Sequence, residues 1–170
     1  DWFDRVSNQP LVCGNIERSS MKSISTSITI DAPASEVWRH LVDFQSHADW
    51  NPLFASITGE PIGGTQIVAV ARKNFDATDP ATSMTFRPEV LIAEPGVELR
   101  WAAKLAFGGL FDGTHYFRLE ESDGVTVLEH GEDFKGILIP FMGKVLRQNE
   151  KGFAAFNEAL KNRSEDERHT

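Results

Sequence analysis

The chain is poor in cysteine, with Cys13 alone in 170 residues. One cysteine excludes an internal disulfide and a cysteine-based metal site, and a cytoplasmic setting is the default expectation. Clustered positive charge is scarce as well. No basic run is longer than Arg72-Lys73, and the net charge is −8. A nucleic-acid binder needs a basic face to neutralise phosphates, so nucleic acid is excluded as a partner. The same acidic balance argues against docking on anionic membranes. No apolar run approaches the roughly 18 residues of a transmembrane helix, so integral membrane association is not expected. The start Asp1-Trp2-Phe3-Asp4-Arg5 has neither the basic residues nor the apolar run of a signal peptide. Tyrosine is nearly missing: one, beside twelve Phe and four Trp. Such an aromatic set suits a greasy interior better than a wet binding surface.

Several chemistries lack their residues. Gly63-Gly64 and Gly108-Gly109 have no phosphate-loop spacing and open no helix. There is no G-x-S-x-G elbow for nucleophilic catalysis. The five histidines (His40, His47, His115, His130, His169) show no metal-ligand spacing. No metal and no cofactor is expected.

What is present fits one domain. Residues 1–20 lack periodicity and read as an N-terminal extension, with Met21-Lys22 just ahead of the first clear pattern. Residues 21–163 form the domain, and 164–170 a polar tail. Ile24, Ile28 and Ile30 alternate with hydroxyl residues, which predicts a half-buried strand. Pro33 ends it. A helix opens at Ala34, and Trp50-Asn51-Pro52 closes the region as a capped turn or as part of a cavity rim. Strands are then predicted at 54–60, 65–73, 83–94, 97–107, 111–121 and 125–134, with a loop near 76–81. Short turns between consecutive strands make an antiparallel meander. The last element is a helix from about Phe141 to Arg163. Met142, Val145, Leu146, Asn149, Phe153, Phe156 and Leu160 fall on one stripe of it.

Turn chemistry sets the faces. Pro95-Gly96 as a two-residue loop makes opposed residue numbers add to 191. That sets Ile92 against Leu99, Val90 against Trp101, and Phe86 against Leu105 on one apolar face. Asp123-Gly124 is a type I′ signal, so opposed numbers add to 247. Phe117 then faces His130, Leu119 faces Leu128, His115 faces Glu132, and Gly113 faces Phe134. His115 and Glu132 therefore lie across from one another on the apolar side, with His130 next to them. A charge on that face is costly unless paired. Apolar walls with a few convergent polar groups have the layout of a small-molecule site. Its predicted lining is Phe86, Val90, Ile92, Leu99, Trp101, Phe117, Leu128, His130 and Phe134, with Asn149 and Phe153 from the helix.

Ile30-Asp31-Ala32-Pro33-Ala34-Ser35-Glu36-Val37-Trp38, followed by Trp50-Asn51-Pro52, resembles the opening of the SRPBCC superfamily. That superfamily groups START lipid-transfer domains, pollen-allergen-type proteins and polyketide cyclase/dehydrase-like proteins. Gly113-Thr114-His115-Tyr116-Phe117, Glu132-Asp133-Phe134-Lys135-Gly136 and Phe156-Asn157-Glu158-Ala159-Leu160-Lys161 are similar to the polyketide cyclase/dehydrase-like branch. The resemblance implies an α+β helix-grip fold. In it a curved seven-stranded antiparallel sheet wraps a long C-terminal helix, one or two short helices follow the first strand, and a deep hydrophobic cavity lies between. It leaves function open, since one fold hosts many.

Three functions remain in play. The first is binding or transport of a small hydrophobic ligand (lipid-like, polyketide-like or aromatic) by a monomer or weak dimer. The second is a cyclase or dehydratase with His115 and Glu132 as acid/base groups. Against it stands the reading of that pair as a buried structural contact. The third is a co-chaperone-like interaction module, which the charged outer face (Arg87, Glu89, Arg100, Lys104, Arg118, Glu120) disfavours.

Overall fold

A computed structural model describes residues 21–72, 83–104 and 108–166. The expected extension 1–20, the loop near 76–81, Leu105 and the last four residues of the tail lie outside the described residues. The order is β1 (Met21–Ile30), α1 (Ala34–Val42), α2 (His47–Trp50), β2 (Phe54–Thr58), β3 (Val68–Arg72), β4 (Ser83–Phe86), β5 (Glu89–Glu94), β6 (Glu98–Lys104), β7 (Asp112–Ser122), β8 (Val125–Lys135) and α3 (Gly143–Asp166). A 3₁₀ turn, Ile139–Phe141, precedes α3. This is the expected α+β helix-grip arrangement. α3 runs on through Ser164, whose hydroxyl donates to the Leu160 carbonyl at 2.8 Å. Among the described residues, no helix is long and apolar enough to cross a membrane.

Among the described residues the strands number eight, where seven were expected. They form a five-stranded sheet, β1-β8-β7-β6-β5, and a three-stranded sheet, β2-β3-β4. The expected strand 83–94 breaks at Arg87-Pro88 into β4 and β5, which belong to different sheets. Proline has no N–H for a ladder and steers its predecessor, so a strand cannot run through it undisturbed. The Pro88 carbonyl still accepts from Ile67 N at 3.0 Å, and Val90 N donates to the Thr65 carbonyl at 2.8 Å. These bonds stitch the two sheets at the break.

The two hairpins differ in how well turn chemistry describes them. Asp123 and Gly124 both have positive φ, 54° and 76°. The β7–β8 register holds the expected sum over its whole length, from Ser122↔Val125 to Asp112↔Lys135. The β5–β6 hairpin instead closes with three loop residues, so Glu94 pairs with Glu98. A bulge between Val90 and Ile92 then returns the register to Val90↔Trp101. Between turn and bulge the inward set is shifted by one. Ile92 pairs with Arg100 and lies at the surface, while Ala93 faces Leu99. Phe86 does not face Leu105; it pairs with Ala69 of β3 and is half-buried.

Candidate functional site

The sheet's inner face meets α3 over a set of buried rings. Trp101, His115, Phe117 and His130 come from β6, β7 and β8, and Phe153 and Phe156 from α3. Trp101 stacks on His115, centroids 5.1 Å apart and planes within 7°. Phe153 stacks on His130 at 4.2 Å, and Phe117 stacks on the same imidazole at 4.3 Å. The rings are in mutual contact, so the interior at this level is packed rather than hollow.

Within these rings runs a chain of polar groups. Glu132 Oε2 lies 3.5 Å from His115 Nδ1. His115 Nε2 lies 2.8 Å from His130 Nε2. His130 Nδ1 lies 2.8 Å from Asn157 Oδ1. Asn157 Nδ2 donates to Thr26 Oγ1 at 2.9 Å, and that hydroxyl reaches the His130 carbonyl at 3.3 Å. Both histidines and Asn157 are buried.

Proton counting gives the chain a direction. Asn157 Oδ1 only accepts, so His130 carries its hydrogen on Nδ1. A neutral His130 then accepts at Nε2, and His115 donates from its own Nε2. That leaves His115 Nδ1 bare and facing Glu132, which fits a protonated carboxyl. The electrostatics agree. Burial lowers His115 to about 3 and Glu132 is raised to about 8, also chiefly by burial, with Asp133 adding repulsion. His130 falls well below the usual histidine value, through burial and then the neighbouring His115. At neutral pH the His115–Glu132 contact therefore joins a neutral acid to a neutral imidazole. Burial thus works against a charged pair at this contact, lowering the histidine and raising the carboxyl.

Gly113 makes room for this acid. A Cβ at Gly113 would run into Glu132 Oε1, so the carboxyl occupies the space that a side chain there would fill. The Glu132 side chain keeps 18% exposure, which gives the chain one end near solvent.

A second polar cluster braces the site from outside. His47 Nε2 donates to the Leu41 carbonyl at 3.0 Å, and His47 Nδ1 accepts from Asn51 Nδ2 at 2.9 Å. Asn51 Oδ1 accepts from the backbone of Leu53 and Phe54 at 2.8 and 3.0 Å. Burial lowers His47 to about 4. The Trp50-Asn51-Pro52 stretch is thus a capped turn, and it delivers Phe54 against Trp101 and His115.

Of the residues singled out in the sequence, Val90, Leu99, Trp101, Phe117, Leu128, His130, Phe134 and Phe153 are buried on the inner side. Phe134 belongs to a smaller cluster with Ile139 and Leu146. Asn149 is half-buried on α3, and the polar residue of α3 that enters the network is Asn157 instead. Thr26, Phe54 and Phe156 also went unselected. The signal for Asn157 was its place four residues after Phe153 on the apolar stripe. A depression of about 420 Å³ lies on the opposite, outer face, between Ser25–Ser27 and Arg118, Glu120, Val127 and Glu129. It is an open groove among charged side chains and does not touch the buried histidines. Among the described residues, no three His, Cys, Asp or Glu side chains are placed to hold a metal ion.

A family model described as polyketide cyclase / dehydrase and lipid transport matches residues 21–165. No curated protein matches the chain. Among solved structures, the Zhui aromatase/cyclase from Streptomyces sp. R1128 is 17% identical with a TM-score of 0.64, over 86% of this chain and 94% of that one. A START superfamily protein from Mycobacterium smegmatis is 16% identical with a TM-score of 0.61, over 85% and 97%. A protein from Mesorhizobium loti is 19% identical with a TM-score of 0.65, over 85% and 98%. At these identities the likeness is one of fold.

Proposed function

The chain belongs to the polyketide cyclase/dehydrase and lipid transport family, and on that premise we propose that it binds a small hydrophobic molecule between the inner sheet face and α3. The polar chain from Glu132 to Thr26 orients that molecule, which is lipid-like, polyketide-like or aromatic. The observation that carries this reading is the neutral character of the chain inside apolar walls. A neutral acid and two neutral imidazoles offer hydrogen bonds without a charge that an apolar ligand would leave unsolvated. The START protein and the aromatase/cyclase share this architecture. Admission requires the Phe153 and Phe156 rings to turn away from the histidines they cover. Native mass spectrometry of gently purified protein, with saturable binding of a polarity-sensitive dye, tests the reading. Dye displaced by long-chain or polycyclic molecules is the expected result, and Phe153→Trp, which fills the interior further, should remove it. Absence of saturable dye binding in wild type would sink the proposal.

One observation favours a second reading, cyclisation or dehydration of a polyketide-like substrate. Glu132 is still protonated at neutral pH and so is matched to general-acid work. It gives its proton to a leaving hydroxyl, water departs, and the carboxylate takes the adjacent carbon's proton. His115 holds the carboxyl in place; neutral down to about pH 3, it is too weak a base to take that proton itself. Glu132→Gln should then lose turnover of a β-hydroxyketone while keeping dye binding. Equal turnover in the variant rules the chemistry out.

A further inference from the structure

The strongest feature left unused lies where β8 hands over to α3. Here the chain exposes large apolar side chains: Ile137 at 61%, Phe141 at 85% and Val145 at 43%. Leu138 is partly exposed beside them, and Met21, across from Lys135 in the β1–β8 register, is exposed too. Val145 was expected on the apolar stripe of the helix, but it points away from the core. The tip is held in shape. Ile137 N and Leu138 N bond to the carbonyls of Gly109 and Leu110 at 3.2 and 3.3 Å, and Ile139, Leu146 and Phe134 anchor it from below. A solvated surface gains nothing from holding a phenylalanine in water.

The charge around this tip runs against the rest of the molecule. From Lys135 to Lys151 there are four basic residues, Lys135, Lys144, Arg147 and Lys151, and one acidic residue, Glu150, in a chain of net charge −8. Lys144 and Arg147 sit in the first turns of α3, where the helix dipole favours acidic residues, and the first turn holds none. Helical side chains lean toward the N-terminus. Arg147 does so, its Nη1 ending 3.7 Å from the position of a Cβ on Gly143. The cations therefore gather behind the apolar tip.

We propose that the tip Ile137–Phe141 and the first turns of α3 dock the protein on an anionic lipid surface. The apolar side chains enter the headgroup boundary, and Lys135, Lys144 and Arg147 remain among the lipid phosphates and carboxylates. The overall acidity that argued against such a surface is an average; the charge that meets the bilayer is local, within a Debye length. This docking needs no bound ligand and does not rest on the interior site.

Sedimentation of the full chain with vesicles of phosphatidylcholine, with and without phosphatidylserine, tests it. Binding to the phosphatidylserine vesicles alone, weakening as salt rises, is expected. Phe141→Ser should cut binding about tenfold, the worth of one aromatic side chain. Lys144→Gln should cut it about fivefold. Both positions are exposed, so circular dichroism and melting should match wild type. The proposal is overturned by sedimentation with neither vesicle, by salt-independent binding to both, or by binding that neither substitution changes. It is equally overturned if the tip instead joins two copies of the chain, seen as a dimer that Phe141→Ser dissolves, without vesicle binding.

Discussion

Asn157 decides the proton arrangement of the buried chain. Its Oδ1 obliges His130 to donate from Nδ1, and every hydrogen from there to Glu132 follows. Asn157→Leu keeps the volume but leaves the His130 N–H without this acceptor. The expected loss is about 1–3 kcal/mol in urea unfolding, the cost of an unsatisfied buried donor. Unchanged stability would mean that the Asn157 bond contributes nothing to the chain. The facing of His115 and Glu132 was legible in the sequence, because a two-residue Asp-Gly turn sets a register by counting. Asn157 was not. Which helical residue reaches a given strand residue depends on how α3 docks, and the stripe in the sequence states only that α3 has a buried face. The protonation of Glu132 was also out of reach, since it comes from the depth of burial and not from the identity of the partner.

Asn51 plays the equivalent part for an element, joining α2 to β2. One side-chain oxygen caps two backbone N–H groups, while its amide nitrogen serves His47. Asn51→Ala should therefore destabilise by about 2–4 kcal/mol, with both amides and His47 left short of partners. Asn51→Asp keeps the oxygen for the two amides but sets its second oxygen against the bare His47 Nδ1, so it should recover only part of that loss. Thermal melts of the two variants side by side check this, and equal losses would refute the capping role. At this scale the sequence was readable where punctuation was unambiguous. Alternation marked β1, and Pro33 and the Asp-Gly turn placed boundaries correctly. It misled where one residue had two readings. Pro88 stood inside a continuous apolar pattern, and only the sheet break reveals that β4 and β5 part there. Pro95-Gly96 suits loops of two or three residues, and the third residue, with the bulge that offsets it, moved Ile92 to the surface.

At the scale of the whole molecule, burial of four titratable side chains makes folding depend on pH in both directions. Unfolded histidines take up protons near pH 6.5, but folded His47 resists to about 4, His115 to about 3, and His130 also well below the usual value. Below pH 6.5 the unfolded chain thus binds more protons than the folded one, and stability falls as the medium is acidified. Glu132 works in the opposite sense. Unfolded, it loses its proton near 4.5; folded, it keeps it to about 8. Across that window the folded chain binds the extra proton, so this contribution shrinks as pH rises. Three histidines outweigh one carboxyl on the acid side, and above pH 6.5 the carboxyl acts alone among the four. The expected profile rises to a maximum near pH 6.5 and declines toward pH 8. Glu132→Gln should remove the decline and leave the acid limb in place. Urea midpoints from acid to mildly alkaline pH, for wild type and this variant, measure both limbs. Coincident curves above neutrality would show that the carboxyl ionises freely in the fold, and the neutral interior on which the proposed ligand binding depends would go with it.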